Sequence, residues 1–141
     1  MSTVNRILLA VLLLASSACS TMNMTAQPPE EALRERVEQM MQAKTEEKWD
    51  IVYDLCDHAY RDKVSKEEFL KRKHNIGFVS YAVDQIAIKP SGAEADVTLK
   101  LDMLMMGFLF EKTPTVQQWV KEDGKWYFVM KDPGNPFDVE N

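Results

Sequence analysis

Apolar residues step at three and four through the first predicted element. In "EEALRERVEQMMQAKTEEKW", residues 30–49, Leu33, Val37, Met40 and Met41 share one face, and nearly all the rest are strong helix formers. Acids cluster at its start, where the helix dipole favours them. A second helix is predicted from Trp49 or Asp50 to about Arg61. Trp49, Val52, Cys56, Ala59 and Tyr60 form its apolar face, which Ile51 and Leu55 widen. A third begins in "VSKEEFLKRK", where Ser65 and Glu68 have the spacing of a capping box. Val64 before the cap and Phe69 within the helix match a hydrophobic staple. Lys71, Arg72 and Lys73 close that helix, where cations suit the dipole, and the basic run needs no anionic partner.

The period changes at Asn75–Gly77. "FVSYAVDQIAIKP" places Val79, Tyr81 and Val83 on one parity and Ile86 and Ile88 on the other, the phase slip of a β-bulge. "PSG" at 90–92 predicts a turn. "AEADVTLKLDM" then alternates cleanly, with Ala93 through Met103 on odd positions facing a core and Glu94 through Asp102 facing water. "TVQQWV" and "KWYFVM" flank Glu122-Asp123-Gly124, a strong hairpin signal. Helices followed by an antiparallel meander make the expected fold class α+β, with N-terminal helices packed on a curved antiparallel sheet.

The run "DMLMMGFLFEKTP" breaks the alternation. Met103, Leu104, Met105, Met106, Phe108, Leu109 and Phe110 are apolar on both parities. A straight strand there would put Leu104, Met106 and Phe108 on the face away from the core. They are the candidate interface, for a second copy, an envelope protein partner or lipid, unless the chain's own tail or first helix covers them. Gly107 in the run suggests a bend or a close backbone approach.

"ILLAVLLLASSACS", residues 7–20, adds an address. Its unbroken apolar stretch of nine residues covers about 14 Å as a helix, roughly half a bilayer core. With Arg6 before it and small residues after it, it reads as a secretory signal. "SSAC" resembles the lipobox of bacterial lipoproteins, although Ser16 stands where that family usually has Leu. The resemblance implies a diacylglycerol-linked Cys19 as the mature N-terminus. With Ser20 following, it implies sorting to the outer membrane, facing the periplasm. Cleavage after Ala18 without lipidation would leave a soluble periplasmic protein. The expected organisation is a signal over 1–18, a lipid-anchored tether over 19–29, one domain over 30–131 and an irregular tail over 132–141.

Loss of Arg6 with the signal takes the formal charge from −5 to −6. An acidic chain without a basic stripe excludes nucleic acid as a partner. With Cys19 lipidated, Cys56 is left alone, and a lone Cys on an apolar stripe is a core residue before it is a reactive thiol.

Candidate chemistry is thin. Asp54 and His58, at i and i+4 of the predicted second helix, read as a surface pair; a metal site would need more ligands, and the one other histidine, His74, stands beside the basic run. Asp102 lies on the polar parity of its strand. No Ser-His-Asp or Cys-His arrangement is readable. No catalytic residue, cofactor or metal is therefore assigned.

Three passages carry a resemblance to a known family: "DIVYDLCDHAYRDKVSKEEFLKRK", the bent strand after Gly77, and "WVKEDGKWYFV". Together, over residues 30–131, they are similar to the nuclear transport factor 2-like superfamily, a cystatin-like cone of curved sheet over helices. The resemblance implies a cone lined by Val52, Cys56, Phe69, Tyr81, Leu99, Leu101, Met103, Trp119 and Trp126. The chain is then expected to be a non-enzymatic envelope lipoprotein domain. It would bind a small apolar ligand or a protein partner, or self-assemble, through its cone and sheet. The alternative that the family implies is a small-molecule isomerase or dehydratase-like enzyme using an acid in the cone.

Overall fold

The computed structural model describes residues 27–72 and 74–131; the expected signal, Cys19 and residues 132–141 lie outside them. Among the described residues four helices precede four strands: α1 (Pro29–Thr45), α2 (Trp49–Asp54), α3 (His58–Lys63), α4 (Lys66–Lys71), β1 (Ile76–Ile88), β2 (Glu94–Met105), β3 (Phe108–Glu122) and β4 (Lys125–Phe128). The strands form one antiparallel sheet in the order β1-β2-β3-β4.

Helix α1 begins with Pro29, whose fixed φ and missing N–H suit a first helical position, and carries Glu30 and Glu31 in its first turn. Leu33, Val37, Met40 and Met41 are all fully buried, as the period predicts. The same stripe continues to Lys44 at the helix end, which is also buried.

The expected second helix is two helices. Its i, i+4 pattern runs unbroken, but the backbone leaves the helix at Leu55–Asp57 to meet β4. Phe128 N donates to Leu55 O at 2.8 Å, and Asp57 N donates to Phe128 O at 2.9 Å. Val52, Leu55, Cys56 and Tyr60 stay in the core, while Ala59 is exposed. Tyr53 is buried as well, its hydroxyl donating to Val64 O at 2.7 Å.

Helix α4 starts at the predicted cap, where Ser65 Oγ accepts from Glu68 N at 3.2 Å. The reciprocal half of the box is replaced: the Glu68 carboxylate takes Arg72 at 2.9 Å, one turn on. Val64 and Phe69 are both buried in the core cluster.

Strand β1 carries two bulges. One at Asp84 produces the predicted slip between Val83 and Ile86. A second, at Val79, precedes it, so Phe78 faces the core and Val79 faces water instead of sharing the face of Tyr81. The register also shifts between β2 and β3 at Asp102, where Lys112 has φ 48°. Asp102 holds both irregularities together: its carboxylate accepts from Ser80 Oγ at 2.6 Å and from Lys112 N at 2.7 Å.

Bulges increase twist and bend strands, and the sheet curls accordingly. Phe78 and Phe128 lie on opposite edge strands, eight residues apart along the β2 register. In a flat sheet they would be roughly 30 Å apart. The Lys44 ammonium nevertheless lies 5.2 Å from the Phe78 ring centre and 4.6 Å from that of Phe128. Inside the curl, Ala95, Val97, Leu99 and Leu101 of β2 pack with Trp119 and Trp126 against the helices. Gln117 also points inward; its Oε1 accepts from Trp119 Nε1 and its amide nitrogen meets the Met41 sulfur.

The β2–β3 and β3–β4 hairpins each close through two residues of positive φ, as two-residue I′ turns require. Asp123 and Gly124 (48° and 77°) join β3 to β4, as predicted, and Met106 and Gly107 (50° and 81°) join β2 to β3. The expected straight run through residue 108 is therefore a turn. Met105 pairs with Phe108 and Leu104 with Leu109. Phe108 consequently shares the core-side face of Met103 and Met105, Leu104 and Leu109 share the outer face, and Met106 stands at the tip.

Candidate functional site

The curled sheet does not close over the end of the core. Between the end of α1, α4 and the start of β1 lies an open pocket of about 360 Å³, near the lower end of the usual ligand-pocket range. Trp49, Phe69, Ile76, Phe78 and Met130 give it apolar walls, and Lys44, His74 and Asn75 supply its polar atoms.

Lys44 is 8 % exposed. The α1 stripe carries it inward, and the Phe78 and Phe128 rings receive its ammonium with their negative faces. Among the described residues no carboxylate comes within ion-pair distance. Burial pushes its pKa down to about 8, and the nearby Cys56 only partly opposes the shift.

His74 follows α4 and turns back over Trp49. The two rings stack at 3.7 Å and 11°, with Phe69 tilted against the imidazole at 5.2 Å. Its Nε2 is buried and without a hydrogen-bond partner. Burial lowers the His74 pKa, and the charges of Arg72 and Lys44 lower it further. Arg61 Nε and Trp126 Nε1 are likewise buried and unpartnered, but neither residue lines this pocket.

The residues expected to line a cone divide. Val52, Cys56, Leu99, Leu101, Trp119 and Trp126 form a sealed core; Tyr81 and Met103 are half-buried at its edge, and Phe69 alone reaches the pocket wall. Cys56 donates its thiol to Val52 O at 3.3 Å, and burial pushes its pKa up to about 12, which leaves it an inert thiol. Sequence reasoning missed Lys44, Trp49 and His74 as pocket residues. A signal for Lys44 was present: it stands three residues after Met41 and four after Met40, on the buried stripe.

Asp54 and His58 do not pair. The helix break at residues 55–57 separates them. Asp54 takes Lys66 at 2.8 Å, and His58 Nδ1 lies 2.6 Å from Glu122. Among the described residues no group of three His, Cys, Asp or Glu side chains is arranged to hold a metal.

The expected interface residues are exposed at the far end of the β2–β3 hairpin. Met106 is 85 % and Phe108 70 % exposed, and Leu104, Leu109 and Phe110 are open beside them. The core-side face, running from Phe78 and Met103 to Phe110, continues beyond the helices to Ile76, Met105 and Phe108.

No family model and no curated protein matches the chain. Among solved structures it is similar to a SEC-C motif containing protein from Psychrobacter arcticus, with a TM-score of 0.52 and 19% identity over 82% of this chain and 64% of that one. It is also similar to a SEC-C motif containing protein from Rhodopseudomonas palustris, with a TM-score of 0.48 and 18% identity over 72% and 75% of the two chains. The chain thus spans slightly less than two thirds of the Psychrobacter protein. At these identities the likeness concerns fold alone. It corrects the nuclear transport factor 2-like assignment: the helix order and closing hairpin that suggested that family belong to an α+β fold like that of SEC-C motif containing proteins.

Proposed function

We propose that this chain is a non-enzymatic binding module of the cell envelope, exported and held at the outer membrane through a lipidated Cys19. Its ligand is a small, mostly apolar molecule seated between Trp49, Ile76 and Phe78. One observation carries the reading: the wall of the pocket is apolar and aromatic, and among the described residues its only ionisable side chains are Lys44 and His74. An isomerase or dehydratase of the alternative kind would need a desolvated acid there. The acids that sequence reasoning considered are engaged elsewhere, Asp54 with Lys66 and Asp102 with Ser80 and Lys112.

The test is calorimetric titration of the purified protein with short alcohols such as 1-octanol. Binding by wild type, abolished by Ile76→Trp, which fills the pocket mouth, is the expected outcome. Undiminished binding by that variant would place the ligand elsewhere.

A second reading, self-assembly through the hairpin tip, is favoured by the joint exposure of Leu104, Met106, Phe108, Leu109 and Phe110. Monomeric soluble proteins rarely leave extended apolar patches open. A second copy presenting the same patch would be self-complementary about a two-fold axis.

A further inference from the structure

We propose that the pocket is a carboxylate site: it takes a small apolar acid whose carboxylate bridges the Lys44 ammonium and the His74 Nε2–H. This rests on the ligand-binding reading above and adds the class of ligand.

Two independent features point to an anion. Lys44 is buried on the pocket wall, and no acid among the described residues neutralises it. Two aromatic rings attract the ammonium at 4.6 and 5.2 Å, but such contacts are worth less than a charge-assisted hydrogen bond in the same low-dielectric setting. Separately, His74 holds a buried nitrogen without a partner on the same pocket. A buried polar atom left unsatisfied is costly, and a bound oxygen atom would remove that cost.

The donor set selects the anion. One ammonium and, in the Nε2–H tautomer of His74, one imidazole N–H match the two oxygens of a carboxylate. A phosphate dianion would leave several acceptors unpaired between the Trp49, Phe69 and Phe78 rings. The open side runs past Ile76 along apolar sheet, so the body of the ligand is aliphatic or aromatic. A pocket of about 360 Å³ holds a short acid and not a long-chain lipid.

The test compares octanoate with 1-octanol by calorimetry, on purified wild type and on Lys44→Met, which keeps an unbranched side chain in place without charge. Wild type should bind octanoate about tenfold or more tightly than octanol. Lys44→Met should lose that preference while still binding octanol. If Lys44→Met does not fold, His74→Phe carries the test, because it keeps the stack on Trp49 and should weaken octanoate alone. Equal binding of both ligands by wild type, or an unchanged preference in the variants, would overturn the carboxylate assignment and leave the apolar pocket standing. Binding of neither ligand would remove the pocket reading itself.

Discussion

His74 lies flat on Trp49, 3.7 Å between ring centres, and in that position its Nε2 is buried without a partner. The stack fixes the wall of the pocket, and the unpartnered nitrogen is its weak point. His74→Phe keeps the ring contact and removes the unsatisfied atom, so the domain should be as stable as wild type or more so. His74→Ala removes the ring and should cost about 1–3 kcal/mol. Urea melts of both variants check this; a His74→Phe variant much weaker than wild type would show that Nε2 has a partner.

Lys44 makes stability depend on alkaline pH. Its folded-state pKa is about 8 and its ordinary value 10.5, so between those values the unfolded chain binds more protons. Stability therefore rises with pH through that window, by on the order of 3 kcal/mol if Lys44 acted alone. Cys56 works in the opposite direction: its thiol is held protonated to about 12 against an ordinary 9.0, so stability falls as pH rises above 9. Together they make stability rise from about pH 8 to 9, level off between 9.0 and 10.5 where the two slopes cancel, and fall above that. Lys44→Met should abolish the rise above pH 8 and keep the later fall. Melts of wild type and variant across pH 7–11 show whether the two curves differ in that way.

The cap on α4 separates two residues that a full capping box would couple. Ser65→Ala leaves the Glu68 amide without its acceptor and should cost about 0.5–2 kcal/mol. Glu68→Ala loses only the exposed pair with Arg72 and should cost a few tenths, about 0.3 kcal/mol. Denaturant melts rank them; an equal cost would mean that the Glu68 side chain also returns to the cap.

Much of this architecture was legible because it is written locally. The α1 stripe, the Ser65 cap, the alternation of β2 and the Asp123-Gly124 turn each follow from residues within a few positions of one another. What was not legible depends on distant chain. The helical pattern through Cys56 gives no sign of the break, because the cause is Phe128, which takes the backbone groups of Leu55 and Asp57. The turn at Met106-Gly107 was hidden by its chemistry: Met is a poor residue for a left-handed position, and apolar letters on both sides read as continuous strand. The pocket joins Lys44, Trp49, His74 and Phe78 from separate elements, and only the curl of the sheet brings them together.

Asp102 should hold that curl. Asp102→Ala removes the acceptor shared by Ser80 and Lys112 and should speed hydrogen exchange at the Lys112 amide. Both hydrogen bonds hold the carboxyl below its usual pKa, Ser80 most strongly. The stability they give is therefore present above the ordinary value of 3.8 and is lost as pH falls through the lowered one. Unchanged Lys112 protection in Asp102→Ala would assign the register shift to some other contact.

Met106 offers a comparison of stability with assembly. It holds a left-handed backbone conformation at the most exposed apolar position of the hairpin. Asn-Gly is the favoured pair for such a turn, so Met106→Asn should stabilise the isolated domain by about 0.5–1 kcal/mol. If the tip joins two copies, the same change, and Met106→Lys more strongly, should shift light-scattering mass toward the monomer. A wild type that stays monomeric at high concentration would remove the self-assembly reading.

Amide and methyl NMR of the purified protein during titration with 1-octanol shows whether a ligand enters beside Trp49. Saturable shifts at the Trp49 indole, Ile76 and the Met130 methyl group, with the sealed core around Leu99 and Trp126 unmoved, are the predicted result. Shifts confined to Met106 and Phe108, or no saturable shift anywhere, would contradict it.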